Sequence, residues 1–253
     1  MDRRDKVIEN IIKGLAVGVA NIIPGVSGGT VAVLLGIYER LTDAIGNFFL
    51  VSFQKKKEYF IFLFQIMIGA VLGVLLFAKL IEFSIQNYPK GTASFFSLCI
   101  LPSLFYIVKP YQKTKKNMFL FLLGALFLGF FMLLSFFFKK ETGAEMPPVS
   151  LISFSYGMRL FFCGLIAAGA MIIPGISGSL LLLVLGEYYH ILSFILHMQM
   201  IPLLYLAMGV ALGLVLFSKA IHWLLHKEKE KTMFFIAGIV FMSIFQIWTS
   251  LPM

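Results

Sequence analysis

Long apolar runs constrain this chain more than any other feature. They fall at about 7–23, 29–53, 59–85, 92–108, 117–138, 151–173, 179–198, 201–225 and 232–250. Most approach or exceed the roughly 20 residues that carry a helix across the hydrocarbon core of a bilayer. The runs are continuous, without the alternation of a barrel strand. A backbone in lipid must satisfy its own N–H and C=O groups, which helices do within one segment. The reading is an all-α integral membrane protein with eight or nine segments and no separate soluble domain. Charge agrees: 13% of residues are charged, against about 25% in soluble domains.

The net charge of +9 does not point to nucleic acid, because the basic residues sit in short clusters between apolar runs. Cys99 and Cys163 lie inside apolar runs and suggest neither a disulfide framework nor a zinc pattern. His190, His197, His222 and His226 lack carboxylate-supported ligand spacing, so no metal and no cofactor is expected. The basic start and first apolar run resemble a signal peptide. Lys13 interrupts that run, and a copy of it recurs deep in the chain, so it reads as mature structure.

That copy belongs to an internal repeat. Ile22-Ile23-Pro24-Gly25-Val26-Ser27-Gly28-Gly29 returns as Ile172-Ile173-Pro174-Gly175-Ile176-Ser177-Gly178-Ser179, an offset of 150. Gly14, Gly36 and Tyr38 match Gly164, Gly186 and Tyr188 at the same offset. Gly69, Gly73, Phe77, Lys79 and Ile81 match Gly209, Gly213, Phe217, Lys219 and Ile221 at an offset of 140, as do Thr92, Phe95, Ser103 and Phe105 with Thr232, Phe235, Ser243 and Phe245. A ten-residue shortening, expected near the Lys55-Lys56-Lys57 loop, separates the two offsets. Residues 7–108 and 157–250 therefore read as two four-segment repeats in a single membrane domain.

One extra run, 117–138, lies between the copies. Each copy has an even number of segments, so this linking helix inverts the second copy, the plan of many secondary transporters. Loop charges bear on orientation, since Lys and Arg favour the cytoplasmic side. With the N-terminus inside, 13 basic residues fall inside: Arg3, Arg4, Lys6, Lys55–Lys57, Lys109, Lys113, Lys115, Lys116, Lys227, Lys229 and Lys231. Three fall outside, Lys90, Lys139 and Lys140, the last two beside Glu141 and Glu145. Parity leaves open whether each Pro-Gly pair joins full spans or a re-entrant hairpin.

The repeated motif also carries the chemistry. Proline and glycine break helices, and broken backbone inside a membrane is tolerated only where protein buries it or it lines a cavity. Ser27 and Ser177 are placed to cap the helices that follow. The N–H groups of Gly28, Gly29 and Thr30, and of Gly178 and Ser179, would then face the break, an arrangement suited to phosphate or carboxylate. The alternative is a tight helical turn at the membrane surface, which two copies related by inversion disfavour.

Five basic residues lie outside the loops: Lys13, Arg40, Lys79, Arg159 and Lys219. Intramembrane cations often mark a site, although Lys79 and Lys219 lie near segment ends, where lysines snorkel. Lys13, Lys79 and Lys219 are candidate gate or head-group contacts, with Glu39 and Glu187. Arg40, placed to pair with Glu39 or Asp43, and Arg159 are candidates for phosphate or for structural pairing. Gly14/Gly18, Gly69/Gly73 and Gly209/Gly213 are small-xxx-small pairs, for which helix packing is a sufficient explanation.

Gly-Val-Ala-Asn-Ile-Ile-Pro-Gly-Val-Ser-Gly-Gly-Thr (18–30), Gly-Ile-Tyr-Glu-Arg-Leu (36–41) and Ala-Met-Ile-Ile-Pro-Gly-Ile-Ser-Gly-Ser (170–179) resemble the PopT-type polyprenyl-phosphate transporters, a family formerly of unknown function. The resemblance implies a multi-pass protein of the bacterial cytoplasmic membrane that recycles undecaprenyl phosphate from the outer to the inner leaflet, with membrane lipids as its surroundings and room for a homo-oligomer. The second copy departs from the first, reading Gly-Glu-Tyr-Tyr-His for Gly-Ile-Tyr-Glu-Arg. Two other classes compete. A membrane lipid-pyrophosphate phosphatase would need an arginine beside the motif serine and closely spaced glutamates; glycines follow both serines here. A small-anion channel or carrier would need no crevice open sideways to lipid.

Overall fold

The computed structural model describes residues 3–23, 26–138 and 153–250. Pro24, Gly25, Lys139, Lys140, Glu141 and Glu145 lie outside the described residues, as do the side chains of Arg3 and Arg4. The described residues form eleven helices and no strand: α1 (Arg3–Ile22), α2 (Gly28–Leu34), α3 (Tyr38–Gly46), α4 (Phe53–Asn87), α5 (Pro89–Val108), α6 (Lys115–Phe138), α7 (Phe154–Ile172), α8 (Gly178–Val184), α9 (Tyr188–Leu196), α10 (Met200–Lys227) and α11 (Lys229–Ser250). By length and composition Phe53–Asn87, Lys115–Leu134, Phe154–Ile172, Met200–Lys227 and Lys229–Ser250 can each cross a membrane. The chain is an all-α integral membrane protein.

The structure corrects the reading of runs 29–53 and 179–198. Each is broken into two short helices, α2/α3 and α8/α9. The break is a glycine turn: Gly36 and Gly186 have φ of 66° and 76°, and the following N–H groups close back on the helix, Ile37 to the Ala32 carbonyl and Glu187 to the Leu182 carbonyl. Glycine is needed because a side chain resists this left-handed conformation. Helices of 7 and 9 residues rise only about 10 and 14 Å, short of the roughly 30 Å hydrocarbon core. None of the four can cross alone.

Helix lengths run 20, 7, 9, 35 and 20 residues over α1–α5. They run 19, 7, 9, 28 and 22 over α7–α11. The ten-residue difference divides between the turn before α10, three residues shorter, and α10 itself, seven residues shorter than α4. Lys55–Lys57 accordingly stand on α4 and not in a loop.

Small residues set the main helix contacts. A Cβ on Gly14 or Gly18 would land on the carbonyls of Ile66 or Ala70, and one on Gly69 or Gly73 on those of Ile11 or Leu15. The numbers rise together, so α1 and α4 run parallel. Gly164, Gly209 and Gly213 do the same for α7 and α10, against Leu206, Phe161 and Leu165. Without a hydrophobic force between helices in lipid, such close backbone approach is what favours their association. Gly124 and Gly238 join α6 to α11. The outer faces stay apolar and exposed, as at Phe60, Phe64, Leu75, Leu76, Phe130 and Leu133.

Candidate functional site

The two motifs meet. Ser27 is buried at the N-cap of α2, and its Oγ accepts from the Thr30 N–H at 3.2 Å and from the Gly175 N–H at 2.9 Å. The second bond joins residues 148 apart. A Cβ on Gly29 would meet Pro174 Cα at 3.3 Å. Tyr38, buried at the start of α3, donates its hydroxyl to the Ile172 carbonyl at 3.0 Å. The first copy thus satisfies part of the backbone at the second break, one N–H and one carbonyl, with its own side chains.

The first copy is closed. The Gly28 N–H donates to Asn21 Oδ1 at 2.9 Å, and the Thr30 N–H is held by Ser27. These two groups, expected to be open, are committed within the protein. A Cβ on Gly28 would strike the Asn21 amide and Val17, and one on Gly178 would strike Met171 and the Ala167 carbonyl. Gly28 and Gly178 therefore allow close packing against α1 and α7. In the second copy Ser177 and Ser179 place their hydroxyls 2.6 Å apart at an exposed position.

The charged candidates separate into distinct clusters. Glu187, 1% exposed, accepts from Arg159 Nε at 2.8 Å and from the Tyr156 hydroxyl at 2.7 Å. Arg159 also donates Nη2 to the Leu185 carbonyl at 3.3 Å, while 59% of its side chain stays exposed. His190 Nδ1 lies 3.2 Å from Glu187 Oε2, but it is not aligned to bond. Arg40 does not pair with Glu39 or Asp43; its guanidinium lies 4.2 Å from the centre of the Phe62 ring. Glu39 pairs with Lys229 at 2.6 Å. Lys13 pairs with Glu9 one turn earlier at 2.6 Å. Lys79 and Lys219 are both exposed, on α4 and α10.

Several partnerships had no counterpart in the sequence reading: those of Asn21 with Gly28, of Tyr156 and His190 with Glu187, and a cluster around Asp43. That carboxylate accepts from Tyr59 at 2.6 Å and from Asn47 at 2.9 Å, with His222 Nε2 3.5 Å away. Partial burial pushes the Asp43 carboxyl up, but the two hydrogen bonds and His222 outweigh it, so its pKa lies below the ordinary value. Among the described residues no His, Cys, Asp and Glu group is arranged to hold a metal.

No solved structure matches the chain. A polyprenyl-phosphate transporter of Vibrio cholerae is 32% identical over 252 residues, covering 95% of this chain and 77% of the relative. A polyprenyl-phosphate transporter of Staphylococcus aureus is 33% identical over 253 residues, covering 96% and 87%. Residues 17–251 match the family described as undecaprenyl phosphate translocase-like. With nearly the whole chain covered, the protein belongs to the undecaprenyl phosphate translocase-like family.

Proposed function

We propose that the chain transports a polyprenyl phosphate, specifically undecaprenyl phosphate, from the outer to the inner leaflet of a bacterial cytoplasmic membrane. The observation that carries this reading is the contact of the two motifs through Ser27 and Gly175, in a chain whose relatives are named polyprenyl-phosphate transporters. In this reading α1–α2 and α7–α8 are re-entrant hairpins that enter from opposite sides and touch within the membrane. Such inverted, broken helices are the usual makings of a transport site. The N-terminus is cytoplasmic, which puts the lysine-rich starts of α4, α6 and α11 inside, as the loop charges favour.

Moving a bare phosphate through hydrocarbon is prohibitive, so the protein must supply donors in place of water. In the second copy these are Ser177 and Ser179, with Gly178 between them, and the exposed side of the Arg159 guanidinium. In the first copy Gly29 is the motif residue left half-buried, while Ser27, Gly28 and Thr30 hold the frame. Arg40 offers a second guanidinium. Lys79 and Lys219, exposed toward opposite ends in this orientation, would meet the head group at each leaflet. Lys13, Glu39 and Glu187 act by pairing.

The test presents purified protein with undecaprenyl phosphate and, separately, undecaprenyl pyrophosphate. The monophosphate should bind, and no inorganic phosphate should be released from the pyrophosphate. Release at a rate that tracks protein concentration would replace this reading with that of a lipid-pyrophosphate phosphatase.

A further inference from the structure

We propose that the polar cavity where α10, α11 and the start of α6 meet is a binding site for an anionic phospholipid head group. This site is separate from the motif contact. The cavity holds about 360 Å³ and is lined by residues of the 227–231 turn and by Gln112, Thr114, Lys116 and Asn117. Four lysines and two glutamates face it.

The carboxylates there are already engaged. Glu228 pairs with Lys231 at 2.6 Å. Glu230 Oε1 accepts from the Asn117 side chain at 2.6 Å and from the Gln112 N–H at 3.1 Å, which pins the loop before α6 to α11. Lys229 is taken by Glu39. Lys116 and Lys227 have no carboxylate within ion-pairing distance among the described residues, and both are exposed. Two ammonium groups thus remain for a ligand on a frame that is otherwise internally paired.

The neighbours of those two lysines argue for a lipid over a soluble anion. Lys227 lies 4.8 Å over the ring of Trp223, which is 56% exposed one turn back on α10. Phe119, 62% exposed, stands one turn beyond Lys116 on the same face of α6. Lys227 thus lies over an aromatic ring and Lys116 has one a turn further along its helix, so phosphate is held at the cavity and acyl chains run down Trp223 and Phe119. Trp at the membrane interface is common for this reason, and basic pockets between helices at a membrane face suit anionic head groups.

The experiment is native mass spectrometry of the delipidated full chain with phosphatidylglycerol or phosphatidylcholine added. Phosphatidylglycerol should be retained in preference to phosphatidylcholine. K116Q/K227Q should weaken its retention by about five-fold for each lysine removed. K56Q/K57Q, an equal loss of charge on α4, should leave retention unchanged. The proposal fails if the two double variants behave alike, if K116Q/K227Q retains lipid as the wild type does, or if inorganic phosphate displaces the phospholipid. The last result would make this a site for a soluble anion.

Discussion

Replacing Arg159 should cost more stability than replacing the glutamate it pairs with. The two partners differ in burial: Glu187 is 1% exposed and Arg159 59%. Arg159→Ala strands a carboxylate inside the protein, and breaking a buried pair from one side typically costs about 3–5 kcal/mol. The Tyr156 hydrogen bond persists, so we expect the lower end, about 3 kcal/mol. Glu187→Gln keeps the shape and an acceptor for Tyr156, and it leaves Arg159 free to turn toward water. That change should cost about 1 kcal/mol, the worth of an ordinary hydrogen bond. In the double variant the stranded charge is gone, so R159A/E187Q should lie within about 1 kcal/mol of E187Q, a coupling of roughly 2 kcal/mol. The assay is thermal unfolding in detergent, where a chain of this size shifts by about 2–4 °C per kcal/mol. R159A should melt lowest, and adding E187Q should raise its midpoint. If R159A were no worse than E187Q, or if the two losses simply added, the buried-carboxylate argument would be wrong.

Ser27→Ala removes a cap and strands the Gly175 N–H, so it should cost about 2–4 kcal/mol, more than a cap alone; a loss under 1 kcal/mol would contradict the inter-motif bond. Gly209→Ala pushes a methyl into the Phe161 carbonyl and should lower folded yield by about 1–3 kcal/mol of stability. Gly91→Ala, whose new methyl meets only Tyr88 Cβ at 3.8 Å, should be neutral or stabilising, and comparing folded yields checks the pair. The depressed Asp43 carboxyl stabilises the fold above the unfolded carboxylate range, and that contribution is lost as pH falls through its folded value. Asp43→Asn should therefore flatten the acid side of a stability profile, and an unchanged acid limb would count against the cluster. In a Cys99→Ser background, Lys115→Cys should resist impermeant thiol reagents added outside intact cells; labelling there would reverse the proposed orientation.

The membrane class was plain in the sequence because apolar runs depend only on local composition. The pairing of α1 with α4 and of α7 with α10 was foreshadowed by the spaced glycines, since close backbone approach needs them. The breaks after α2 and α8 were harder to see. Gly36 and Gly186 stood out as matched positions, yet each lies inside a run long enough to be read as one segment, and a single glycine does not by itself mark a change of direction. Side-chain partners were the least legible. Whether Glu39 meets Arg40 or Lys229 depends on how α3 lies against α11, which local sequence does not encode. Asn21 and Tyr156 gave no signal for the same reason. The second-copy change to Gly-Glu-Tyr-Tyr-His was visible as a departure, and its physical meaning, a carboxylate fully buried against Arg159, followed only from the packing of α7 on α8.

The most direct test of the account is leaflet-resolved movement of undecaprenyl phosphate in liposomes. Lipid head groups accessible from outside are scored over time with and without the protein, and with a Ser177→Ala/Ser179→Ala/Arg159→Lys variant. Arg159→Lys keeps the charge but loses the two-pronged geometry that suits phosphate. The account predicts protein-dependent exchange between leaflets and marked slowing in the folded variant. Wild-type protein that left the lipid in its original leaflet would contradict the central claim.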